Sequence, residues 1–168
     1  MKNFKKGILA SVLAVAGLVG VTQSAMAGSA TATFQVTATV NSACVVSATN
    51  VAFGTITPAA TGNASATGTI TSTCTKTTPY TLAISAGGSG SVAARTMAGT
   101  AGNTDVLAYN LYTSNTYSTP WGETVGTNTV AAVGTGSAQT ATVYGQLSLN
   151  QYLKPDTYTD NLTVTLAY

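Results

Sequence analysis

The sequence predicts an all-β chain folded as an antiparallel β-sandwich. Three observations carry that prediction. After residue 27 no stretch keeps the helical spacing of apolar residues. Short runs rich in Thr, Val, Tyr and Leu alternate with a period of two. Clusters of Gly, Asn, Ser and Pro separate these runs at short intervals, as in sandwiches.

The first residues are an export signal rather than part of that fold. Lys2, Lys5 and Lys6 precede an apolar run from Ile8 to Val21, which is short for the roughly 20 residues that span a bilayer. Ala25-Met26-Ala27 offers small residues for cleavage after Ala27. The 168 residues, less those 27, leave a mature chain of 141, the size of one domain with a single core. Its charges are Lys76, Arg95 and Lys154 against Asp105, Glu123, Asp156 and Asp160, a net charge of −1. No basic patch remains for nucleic acid, and the surface must be built largely from Thr, Ser, Asn and Gly.

Ala30 to Val40 alternates without a fault. Ala30, Ala32, Phe34, Val36, Ala38 and Val40 fall on one side, and Thr31, Thr33, Gln35, Thr37 and Thr39 on the other. Two readings fit: the first strand of the sandwich, or a strand offered to another molecule. Cys44-Val45-Val46 and Val51 to Ile56 are short apolar runs, and Ala59 to Gly68 reads as a small, polar loop. Thr69 to Thr75 carries Cys74 into a strand. Cys44 and Cys74, the only cysteines, read as a disulfide in an exported chain. A metal site would need ligands that are not there, since the chain has no His and its acids are scattered.

Further along, Tyr80, Leu82 and Ile84 alternate with Thr81, Ala83 and Ser85, and Ala86 to Ser91 is a flexible turn. In Asp105 to Tyr112, Leu107, Tyr109 and Leu111 oppose Val106, Ala108, Asn110 and Tyr112. Ser114 to Gly122 is a loop with the single Trp, Trp121. Thr129 to Val133 is a weak strand, Ala141 to Leu149 a stronger one, and Lys154-Pro155-Asp156 a turn. In the last run Leu162, Val164 and Leu166 face one way, Thr163 and Thr165 the other.

The composition argues against an enzyme. Without His the commonest general base is absent. Asp156 and Asp160 are the least implausible catalytic pair, but they read better as a turn former and a hydrogen bonder at a strand start. The glycines at 87, 88 and 90 have neither the Lys nor the helix of a phosphate loop. No cofactor is expected. Tyr109, Tyr112, Tyr117 and Trp121 cluster in sequence, a candidate sugar-stacking set or ordinary packing.

Leu107 to Thr113 (LAYNLYT) with Trp121-Gly122, Val143 to Leu147 (VYGQL) and Pro155 to Tyr168 (PDTYTDNLTVTLAY) resemble the spore coat protein U domain family. Phe53 to Ile56 (FGTI), Cys74 and Arg95-Thr96-Met97 fall where that family has similar features. The family includes subunits of archaic chaperone–usher pili, such as the Csu type. The resemblance implies an immunoglobulin-like sandwich lacking one strand. A periplasmic chaperone lends the missing strand, and at the outer-membrane usher the N-terminal strand of the next subunit replaces it. By position it divides the chain into a signal peptide (1–27), a donor strand (28–41) and a pilin domain (42–168). It makes Ala30 to Val40 the donor strand and places Leu162, Val164 and Leu166 in the accepting groove. The expected protein is a pilus subunit of surface fibres for adhesion and biofilm, and the lack of an extra N-terminal domain favours a shaft position. Two other functions fit the residues: a secreted carbohydrate-binding domain using Tyr112 and Trp121, or a coat or matrix protein that assembles without a chaperone.

Overall fold

The computed structural model describes residues 27–58 and 61–168. The expected signal peptide, save Ala27, lies outside the described residues. Thr39–Tyr168 forms one compact unit and carries every strand among the described residues. The strands are β1 (Cys44–Ala48), β2 (Asn63–Cys74), β3 (Pro79–Ile84), β4 (Arg95–Ala98), β5 (Val106–Tyr112), β6 (Val130–Val133), β7 (Ala138–Ser148) and β8 (Val164–Ala167). One sheet runs β1-β2-β7-β5-β4 and the other β6-β3-β8. Every pairing is antiparallel. Among the described residues no helix is long and apolar enough to cross a membrane.

The period-two pattern becomes burial where expected. Tyr80, Leu82 and Ile84 of β3 and Leu107, Tyr109 and Leu111 of β5 are buried, and with Ile70, Val143 and Leu147 they form the core. Trp121 is 1% exposed and ties the sheets together. Its Nε1 donates to the Leu82 carbonyl at 3.0 Å, and its backbone N–H to the Leu111 carbonyl at 2.8 Å.

Two stretches differ from the sequence reading. The loop expected over Ala59 to Gly68 ends early, because β2 begins at Asn63 and pairs with β7 from Ser148 onward. The small residues that suggested a loop, Ala64, Ala66 and Gly68, keep a low inner surface over which the chain lays Val51 and Phe53. A Cβ on Gly68 would stand 2.8 Å from Val51 Cγ2, and one on Gly145 2.8 Å from Phe53 Cζ. The Val51 to Ile56 run is therefore not a strand. Its side chains pack on the core, and the Phe53 ring meets Tyr109 edge-on with centroids 6.3 Å apart.

The second is β4, a strand to which the sequence reading assigned nothing. Its first residue is a charged one, Arg95, whose side chain is 0% exposed. Nη2 donates to the carbonyls of Trp121 and Ser85, both at 2.7 Å, and of Ile84 at 3.1 Å. Nε donates to Ser85 at 3.1 Å, and Nη1 to Asn110 Oδ1 at 2.9 Å. The guanidinium fork thus gathers carbonyls at the end of β3 and in the Trp121 loop, together with the Asn110 side chain of β5. Burial lowers its pKa, against the opposing pull of Tyr109, Asp160 and Glu123.

Candidate functional site

The sandwich is uncovered along one seam. β1 ends the five-stranded sheet and β8 ends the three-stranded one. Their Cα atoms come within 8 Å, yet no ladder joins them. Both strands therefore keep a row of backbone donors and acceptors without a sheet partner. By contrast, the outer edge of β4 is pinned at its last residue, where Ala98 and Thr159 exchange two backbone hydrogen bonds of 2.9 Å.

Side chains at the seam report the same gap. Val46 lies opposite the buried Ser72, and Ala48 opposite the buried Ile70, so both face inward. Val46 is nevertheless 38% exposed, and Ala48 is exposed. On the other wall Leu162, Val164 and Leu166 pack against the core but are only half-buried, while Thr163 and Thr165 are exposed. The strand facing read from sequence is therefore the one observed. Ile84, next to Val164, and Leu82, next to Leu166, are each 2% exposed. Inward apolar side chains become wetter toward the seam, as expected where a sheet lacks its next strand. Neither β1 nor β8 carries a charge, so the seam favours a neutral, apolar face. Val46 and Ala48 were not foreseen as a wall. In sequence Cys44-Val45-Val46 is a short apolar run that shows neither its inward side nor which strand ends the sheet.

Cys44 and Cys74 are joined by a disulfide, with Cα atoms 4.1 Å apart. They are register partners of β1 and β2, so the bond holds the seam's β1 wall onto its sheet at one end.

Ala30, Ala32, Phe34, Val36, Ala38 and Val40 lie in a stretch, Ala27 to Ala43, in which every residue is exposed and none belongs to a strand. Phe34, Val36 and Val40 are 88%, 82% and 84% exposed.

The remaining candidates are used structurally. Asp156 accepts from Thr100 N at 2.9 Å, Thr100 Oγ1 at 2.7 Å, Asn103 Nδ2 at 2.7 Å and Thr157 N at 2.8 Å. The bonds from Asn103, first, and then Thr100 hold its carboxyl well below the usual carboxylate range. Asp160 accepts from Tyr109 Oη at 2.7 Å and Gly88 N at 2.9 Å. Burial, helped by the Asp160 bond, pushes the Tyr109 phenol up. The aromatics make no stacking platform. Trp121 and Tyr109 are core residues, while Tyr112 and Tyr117 pack edge-on with centroids 5.5 Å apart. The sugar-stacking reading through Trp121 fails because its ring is spent on joining the sheets.

No curated protein matches the chain. Among solved structures it is similar to the complex of the chaperone CsuC with the tip adhesion subunit CsuE, a pre-assembly complex from the archaic chaperone–usher Csu pili of Acinetobacter baumannii. The TM-score is 0.56 at 21% identity, covering 77% of this chain and 41% of the other, so the chain spans less than half of the matched one. At that identity the likeness shows the fold, an immunoglobulin-like antiparallel sandwich. The Spore Coat Protein U domain family model matches residues 30–165, nearly all of the chain beyond the expected leader, and by that match the chain belongs to the Spore Coat Protein U domain family.

Proposed function

We propose that the chain is a structural pilus subunit, exported through the periplasm and polymerised by donor-strand exchange into surface fibres for adhesion and biofilm formation. One observation carries the reading: an exposed, unpaired segment with one apolar face (Ala30 to Val40) accompanies a sandwich with an uncovered apolar seam between β1 and β8. An extended segment added to a sheet edge supplies main-chain hydrogen bonds, and its alternate side chains fill the gap. In this role Phe34, Val36 and Val40 of one subunit enter the seam of the next, beside Val46, Leu162, Val164 and Leu166. Their burial contributes roughly 5–9 kcal/mol, before ladder hydrogen bonds of about 0.5–1.5 kcal/mol each. The contact is head-to-tail and does not close, so it propagates as a filament.

The same seam is a hazard for a single subunit, which is the physical reason for a periplasmic chaperone that covers it and an outer-membrane usher at which the exchange occurs. The fold shared with a subunit crystallised with its chaperone supports that partnership. The test is Phe34→Asp, followed by chaperone co-purification and a count of surface fibres. The expected result is a folded, disulfide-bonded subunit that retains its chaperone complex and forms no fibres. Loss of both together would make Ala30 to Val40 part of its own subunit's fold. Assembly of the purified unmodified chain with no chaperone would favour the coat or matrix reading.

A further inference from the structure

The approach to β8 is clamped to both sheets. Thr159 exchanges two backbone hydrogen bonds with Ala98 of β4, both at 2.9 Å. One residue on, the Asp160 carboxylate accepts through Oδ2 from the Tyr109 hydroxyl of β5, at 2.7 Å, and through Oδ1 from the Gly88 amide, at 2.9 Å. Thr163 then meets the end of β3, its carbonyl accepting from Ser85 N at 3.0 Å and its N–H donating to Ser85 Oγ at 2.9 Å. From Val164 onward the only backbone ladder on the strand, among the described residues, is the one to β3.

The turn after β3 is shaped around this carboxylate. Gly87 has φ +67°, and a Cβ there would run into the Asp160 side chain. A flexible turn in sequence is thus a fitted cradle in the fold, with glycine required by both backbone and space. The carboxylate stands two residues before Leu162, the first apolar side chain of the β8 wall. Its bond to Tyr109 is the side-chain link between that wall and the opposite sheet.

We propose that Asp160, held by Tyr109 and the Gly87-Gly88 turn, is a positioning residue that presets the β8 wall to receive an incoming strand. This inference rests on the donor-strand reading above. With the clamp made, Leu162, Val164 and Leu166 start from a defined depth and register. Without it, each capture must first order residues 159–163, and strand addition slows.

The experiment uses the full mature chain carrying Phe34→Asp, which removes its own donor, and a synthetic peptide of residues 28–41 as the probe. Peptide association is followed in time with and without Tyr109→Phe, which deletes one hydroxyl and keeps the ring. The denaturant midpoint of each variant is recorded in parallel. The expected result is association slowed roughly ten-fold or more, the scale of one lost hydrogen bond to a charged group, in molecules that remain folded. Asp160→Asn keeps a carbonyl oxygen for Gly88 and should fall between the parent and Tyr109→Phe. Should Tyr109→Phe not fold, Asp160→Asn alone decides the comparison by the same rate. An unchanged rate with a lowered midpoint means that the clamp serves stability only, and the proposal fails while the donor-strand reading stands. A parent chain that never binds the peptide overturns both.

Discussion

The Ser72 hydroxyl donates to the Tyr80 hydroxyl at 2.8 Å, joining β2 to β3 across the interior just behind the seam. Both residues are buried, at 2% and 4% exposure, so the pair is a dry polar bridge between the sheets. Tyr80→Phe leaves the Ser72 hydroxyl with only the long 3.5 Å contact to the Gln139 carbonyl. It should destabilise by about 1–3 kcal/mol, whereas Ser72→Ala with Tyr80→Phe should cost less than the two single changes added together. Denaturant unfolding of the four proteins in the cycle checks this.

The Cys44–Cys74 bond closes a loop of sequence separation 30. The chain-entropy treatment assigns roughly 3.5–4 kcal/mol to such a loop. Replacing both residues by Ser should reduce stability by about 2–5 kcal/mol and lower the yield of exported protein. Alkylation and mass measurement of the denatured wild-type protein should show no free thiol.

Val164 and Thr163 are neighbours with opposite duties. Val164 packs against the core beside Ile84, while the Thr163 side chain is exposed. Val164→Asp places an unpaired carboxylate against the apolar interior and should cost at least about 2 kcal/mol. Thr163→Asp, pointing outward, should change stability by less than about 0.5 kcal/mol. Soluble yield and unfolding midpoints of the two variants separate the faces, and equal losses would contradict the observed alternation.

The Asp156 carboxyl is held below its ordinary value of 3.8 by the Asn103 and Thr100 hydrogen bonds. The folded chain therefore binds this proton less readily than the unfolded chain. Its contribution is complete above about pH 4 and is lost as pH falls through the lower folded value. Asp156→Asn should flatten that part of the acid-side decline. Urea midpoints at about pH 6 and about pH 3, compared between the two proteins, measure the difference.

Much of this fold was legible in the sequence because strands write their faces locally. Tyr80, Leu82 and Ile84, or Leu107, Tyr109 and Leu111, announce a buried side by alternation alone, and the structure buries them. Leu162, Val164 and Leu166 could be assigned to the inner face in the same way. The paired cysteines could be read from their number and an exported chain, whereas the faultless period of Ala30 to Val40 fitted a first strand of the sandwich as well as a strand offered to another molecule.

Other features depended on residues distant in sequence. In sequence Arg95 is one cation among few charges, and nothing local shows that the carbonyls of Ile84, Ser85 and Trp121 surround it. Ala64, Ala66 and Gly68 read as a loop until Val51 and Phe53 cover them. The turn at Gly87 reads as slack until Asp160 fills it. By itself the sequence determined which side of each alternating run is apolar, because a period of two is a property of neighbouring residues. Only the tertiary structure decided that β1 and β8 end their sheets side by side and leave Val46 and Leu166 partly uncovered, because strand order and register arise from pairings between residues far apart in the chain.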